Sequence, residues 1–269
     1  MRSRLLVSLL ATVSVFTGGA LGACAARHPA DVIRRFHAAE ANQGVAVDAR
    51  FFYAIDGAAI GKYDKGSGAR VGGWNDTTGK ITHLNSGVVV GGELYCAHSN
   101  YPETPMVSSL EVFATDGMEH LRTIPLPQGI GSATWVDRAN DTWWVTFANY
   151  AGKGGEPGKG PETTKLVRFD RQWQPQESWT FPATVVERWG GMSSSGGVWI
   201  EGKGLYTTGH DARELYVVDL PASGRELMLK AILPFESEGQ GIAIDASEGL
   251  LYSIQRRTRE VIVSNLPFN

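Results

Sequence analysis

Residues 82–100 read THLNSGVVVGGELYCAHSN. Val88-Val89-Val90 runs into Gly91-Gly92, and Leu94-Tyr95-Cys96 follows. Two β-rich runs joined by Gly-Gly predict a tight hairpin, because the favoured two-residue turns need positive φ. The polar residues gather at the other end. His83, Asn85 and Ser86 precede the first strand, and His98, Ser99 and Asn100 follow the second. Pairing across the turn sets Asn85 about opposite His98.

The same hairpin recurs along the chain. Units begin at Gln43, His83, Gly131, Ser193 and Glu238. Each first strand opens on a small residue: Gly44, Gly87, Ala133, Gly196 and Gly241. Each second strand carries an aromatic: Tyr53, Tyr95, Trp144, Tyr206 and Tyr252. Third strands end near polar turns, as in Lys62-Tyr63-Asp64 and Val217-Val218-Asp219. Four short strands per unit of roughly 40–50 residues is the pattern of a propeller blade. The fifth unit ends after three strands, GIAIDAS, GLLYSIQ and EVIVSNL. The isolated run Val32–His37 (VIRRFH) supplies its fourth. The expected fold is therefore all-β, a five-bladed β-propeller whose N-terminal strand closes the last blade and removes the open edges. No segment after the leader shows helical periodicity.

The chain has 269 residues and net charge −3, with no basic run of the kind that binds nucleic acid. Residues 1–25 read as an export signal: Arg2 and Arg4, an apolar stretch from Leu5 to Phe16, then small residues. Ala23-Cys24-Ala25 fits release by ordinary cleavage, whereas Leu21-Gly22-Ala23-Cys24 fits a bacterial lipobox that would place a lipid on Cys24. The product is exported: periplasmic, secreted or anchored at the cell envelope, with Cys24 its sole link to a membrane. Residues 26–269 form one propeller domain, read as a monomer. With Cys24 removed or lipidated, Cys96 has no internal partner, and its mid-strand position predicts a buried, inert thiol.

The blades resemble those of exported propellers of the NHL, lactonase and YncE-like class, through the G-φ-x-φ-D and Leu-Tyr motifs over the whole mature chain. The resemblance implies architecture only, since such folds carry hydrolases, lyases, isomerases and binding proteins. Gluconolactonase-like members hold calcium in a Glu/Asn/Asn/Asp ring. The corresponding positions here are Gln43, Asn85, Ser132, Ser195 and Gln240, nearly uncharged, which argues against a hard calcium site.

Propeller geometry separates two faces. The first-to-second turns, including Asp137-Arg138-Ala139-Asn140-Asp141, carry ordinary turn residues. The strand-entry face collects Gln43, Asn85, Ser86, Asn100, Asn149, Ser195 and Gln240 as candidate ligand contacts. Ser195 falls opposite His210, so that His98 and His210 stand in equivalent places two blades apart. His98 and His210 are the candidate acid–base groups, with Arg256 or Arg257 stabilising an anion. His83, His98, His210 and Glu238 are ligand types for a divalent metal, although no HxH or HExxH spacing supports one. His120, in a fourth strand, reads as exposed. The glycine-rich stretch 149–164 reads as a lid or a floppy loop, with Tyr150 and Trp189 as stacking groups. The expected function is binding of a small polar ligand at the channel mouth, with metal- or His-assisted hydrolase, lyase or isomerase chemistry. The alternative is a non-catalytic envelope binding or scaffold lipoprotein.

Overall fold

The computed structural model describes residues 31–266. The stretch read as an export signal, Cys24 and the last three residues lie outside that range. Blade one contains β2 (Gly44–Val47), β3 (Phe51–Asp56), β4 (Ala59–Asp64) and β5 (Arg70–Asn75). Blade two contains β6 (Leu84–Val90), β7 (Glu93–Ser99), β8 (Ser108–Ala114) and β9 (His120–Pro125). Blade three contains β10 (Ser132–Ala139), β11 (Thr142–Ala148), β12 (Lys165–Phe169) and β13 (Pro175–Thr180). Blade four contains β14 (Gly196–Ile200), β15 (Gly204–Thr208), β16 (Glu214–Asp219) and β17 (Met228–Pro234). Blade five orders β18 (Ile242–Asp245), β19 (Leu250–Gln255) and β20 (Glu260–Asn265) outward to β1 (Val32–His37), the N-terminal strand. All pairings within the blades are antiparallel.

The innermost strands touch in the cycle β2, β6, β10, β14, β18 and back to β2, which closes the ring. Apolar side chains alternate outward from these strands and fill the wedges between blades. Tyr53, Ile55, Leu84, Leu94 and Phe113 pack between blades one and two, while Trp135, Trp144, Leu205 and Tyr216 pack between blades three and four. Phe36 of β1 stacks on Phe52 with centroids 5.0 Å apart, so the closing strand also contributes to the seam between blades five and one. Lys65, after β4, is buried in an ion pair with Asp245 of β18 across that seam.

Gly91 and Gly92 have φ of 60° and 82°, the left-handed values the hairpin requires. Gly241 marks a different need: a Cβ there would lie 2.6 Å from the Gly44 Cα and 2.7 Å from the Ser86 hydroxyl. The inner strands approach too closely at the entry face for side chains at these points.

Two local features depart from the sequence reading. A short helix α1 (Ala183–Arg188) follows Pro182 in the connection from blade three to blade four, and a single 3-10 turn spans Pro161–Thr163. Six residues are too few for periodicity to show.

Candidate functional site

The polar residues of the entry face divide into two groups. The first group stitches the ring. The Asn85 amide donates to the Ala133 carbonyl, the Thr134 hydroxyl to the Ser194 carbonyl, the Thr208 hydroxyl to the Gln240 carbonyl, and the Gly241 amide to the Gln43 carbonyl. These bonds link successive blades from two around to one. Asn85, Ser86, Ser132, Ser195 and Gln240 are all buried. Ser132 meets the Ser99 hydroxyl at 2.7 Å, and the Gln240 amide donates to the His210 carbonyl. Buried polar groups must find partners; Asn85, Ser132 and Gln240 find theirs in the neighbouring blade, whereas the Ser195 hydroxyl turns back to the Ser193 carbonyl.

Asn100 and Asn149 hold loops. The Asn100 carbonyl oxygen accepts from the Val107 amide at 2.8 Å, closing the 100–107 loop. The Asn149 amide donates to the carbonyls of Ile130 and Thr163. The glycine-rich stretch is correspondingly tied down: Glu156 accepts from the Met106 amide at 2.7 Å, and the Thr164 and Ser193 hydroxyls bond at 2.7 Å. It joins the neighbouring loop, where a floppy segment was one expectation. Trp189 is buried against Phe181 and is no stacking platform, whereas Tyr101 bridges His83 and Tyr150, with centroids at 4.9 and 5.0 Å.

The register around His98 differs by one residue from the expected one. His98 pairs with Leu84, and a bulge between Leu84 and Gly87 displaces Asn85 and Ser86. His98 thereby shares a face with Leu84, against blade one. Its Nδ1 lies 2.9 Å from the Ser109 hydroxyl, which donates to Glu111 at 2.7 Å. Glu111 also receives Thr123 at 2.6 Å and His120 Nε2 at 2.8 Å. His120 is consequently half-buried and committed to this network. Burial lowers the His98 imidazole below its ordinary range against the opposing pull of Glu111, and Nε2 is buried without a hydrogen-bond partner. In blade four Gly196 pairs with Thr208, which puts Ser195 level with Gly209, again one residue from the expected match with His210.

The second group faces the mouth. His210, after β15, has Nδ1 2.8 Å from Asp211 and Nε2 3.1 Å from an Arg256 nitrogen. A guanidinium can only donate, so Nε2 accepts and the ring proton sits on Nδ1, facing the Asp211 carboxylate. His83 lies within electrostatic reach of Arg256. Burial, then repulsion from Arg256 and from His98 whenever that ring is protonated, push its imidazole down to about 4 against the pull of Asp56. Asp56, close by, receives Asn42 at 2.7 Å and Arg259 at 2.9 Å. Burial alone would raise its carboxyl, but these donors hold it below the usual range. Glu238 pairs with Arg257 at 2.6 Å.

His83, His98, His210 and Glu238 therefore do not form one coordination sphere. His98 turns to Ser109, His210 to Asp211 and Arg256, and Glu238 to Arg257. Among the described residues no three His, Cys, Asp or Glu side chains converge as a metal site would require. Cys96 is buried, and burial raises its thiol, as expected for an inert position. Tyr101 and the Glu111 network were not singled out in the sequence.

No protein-family model matches the chain, and no curated protein matches it in sequence. Solved structures resemble it in shape. A chain of Kuenenia stuttgartiensis hydrazine synthase superposes with TM-score 0.52 at 12% identity, covering 84% of each chain. A chain of the mitotic checkpoint complex superposes with TM-score 0.50 at 10% identity, covering 98% of this chain and 99% of that one. A gluconolactonase from Xanthomonas campestris gives TM-score 0.49 at 14% identity, covering 82% and 71%. Likeness at such identities speaks to the fold alone.

Proposed function

We propose that this chain is an exported propeller that binds a small, anion-bearing polar ligand at the strand-entry face, with hydrolase, lyase or isomerase chemistry assisted by His210. The arrangement that carries the reading is the Asp211–His210–Arg256 chain at the mouth. A carboxylate or similar anion would compete for the Arg256 guanidinium, which suits planar oxyanions. Drawing Arg256 away exposes the Nε2 lone pair beside the bound ligand, while Asp211 continues to fix the tautomer through Nδ1. That is the geometry of an oriented general base. His83 and Tyr101 would flank the ligand, and the strand-entry residues Gln43, Asn85, Ser86, Ser195 and Gln240 would frame it from below. His98, with its unpartnered Nε2, would tune His83 from the blade-one side.

A second reading, binding without turnover, is favoured by the number of entry-face hydroxyls already committed to the ring. Melting temperatures with sulfate, citrate and gluconate test the anion contact. Citrate or gluconate should raise the melting temperature of the wild type and leave Arg256→Ala unmoved; no rise with any oxyanion, or a rise retained in Arg256→Ala, would sink the site. Turnover of p-nitrophenyl esters, lost in His210→Gln while anion binding persists, separates enzyme from binder. Export, and the choice between release and lipid anchoring, is tested by palmitate labelling of wild type and Cys24→Ser.

A further inference from the structure

The turn face contains a cavity of its own. A cleft of about 870 Å³ opens there, lined by Val88, Asp137, Trp199, Ile200, Ile244 and Leu266 among others. A narrower void of about 30 Å³ runs up the channel from it and shares Val88, Asp137 and Ile244. The walls of this inner void are valines, isoleucines, alanine and glycines, with one carboxylate, Asp137.

Asp137 has two counterparts in the repeat. Asp48, Asp137 and Asp245 each stand four residues after the opening small residue of a first strand. Asp48 receives the Tyr53 hydroxyl at 2.6 Å, and Asp245 is paired with buried Lys65 and the Ser247 hydroxyl. Asp137 is held by two backbone amides, Trp199 at 2.7 Å and Arg138 at 2.8 Å, neither of them charged. It is 6% exposed. Burial pushes its carboxyl up to about 6 despite those amides. Of the cations at the cleft margin, Arg138 pairs with Asp141 at 2.9 Å and Lys230 with Asp219 at 3.3 Å, and Lys203 has an interaction of its own. A buried carboxylate without a charged partner is costly, and Asp137 lines both the apolar void and the cleft.

We propose that the turn-face cleft is a second ligand site, taking a small organic ammonium ion whose charged head meets Asp137 and whose apolar body lies against Val88, Ile244 and Leu266. A donor head repeats what Lys65 does for Asp245. The body lies in the cleft, where Val88, Ile244 and Leu266 offer apolar surface beside a charged margin, and the void of about 30 Å³ behind Asp137 has room for little more than a water molecule. This site is separate from the entry face and stands whether or not that face is catalytic.

Calorimetric titration with n-hexylammonium and with 1-hexanol at pH 7.5 tests it. The ammonium should bind at least tenfold tighter than the alcohol, and Asp137→Asn should erase that preference. Ala246→Arg, at an exposed position on the cleft wall, should weaken hexylammonium at least tenfold without touching the core. Equal binding of ammonium and alcohol to the wild type, or unchanged ammonium affinity in Asp137→Asn, overturns the proposal. Should Asp137→Asn fail to fold, unchanged affinity in Ala246→Arg overturns it and the tenfold loss supports it.

Discussion

Acidification from pH 7 to pH 4 forces a proton onto His83 in the folded state at a position built for the neutral ring. Its folded value of about 4 lies below the ordinary 6.5. Between those values the unfolded chain binds more protons, so stability is full above 6.5 and is lost as the pH falls toward 4. The gap corresponds to roughly 3 kcal/mol, about half of it gone by pH 5.5. Against a typical total of about 5–15 kcal/mol that is a large fraction. The measurement is urea unfolding of wild type and His83→Gln at pH 7, 5.5 and 4. The variant lacks the titrating ring, so the difference between the two proteins should shift by about 3 kcal/mol in the variant's favour from pH 7 to pH 4. Asp137 is present in both proteins and cancels in that difference, but it shapes each curve taken by itself. Its folded value, about 6, lies above the ordinary 3.8, so its contribution is present below 3.8 and is lost as the pH rises through 6. The two groups oppose each other in the same window and flatten the wild-type profile. Parallel pH profiles for wild type and His83→Gln would refute the assignment of a half-buried neutral ring at the mouth.

The converse holds for Asp137→Asn: relative to wild type its stability should rise between pH 4 and pH 6.5, and a constant difference across that range contradicts the burial of the carboxylate. Asp245→Ala strands Lys65 in the seam between blades one and five, and should cost roughly 3–5 kcal/mol in denaturant unfolding, whereas a cost below about 1 kcal/mol would mean that solvent reaches the lysine. Gly241→Ala puts a methyl against Gly44 and Ser86 and should destabilise by about 1–3 kcal/mol, read as a lower melting temperature. Deleting residues 32–37 bares the β20 edge, and size-exclusion chromatography should show self-association; a stable monomer would show that ring closure does not depend on β1.

The sequence by itself determined the architecture. A hairpin marked by Gly91-Gly92, repeated with a small residue and an aromatic at fixed places, leaves little choice but blades. Three strands in the last unit and a stray VIRRFH demand a closing pair. Periodicity and turn chemistry are local, and local signals survive in one dimension. The site did not read as clearly. Which way His98 points depends on a bulge that shifts one strand by a residue, and a one-residue slip exchanges the faces of the blade. Whether Asn85, Ser132 or Gln240 meets ligand or the neighbouring blade depends on how closely the inner strands approach, which the glycines at 44 and 241 set only in the closed ring. Asp137 looked like a turn residue because its two counterparts behave as such. Only the packed ring shows that blade one supplies a tyrosine hydroxyl, that blade five draws a lysine across the seam, and that blade three leaves its carboxylate facing a cavity. Partners from another blade are a property of the tertiary structure, and the chemistry of both faces rests on them.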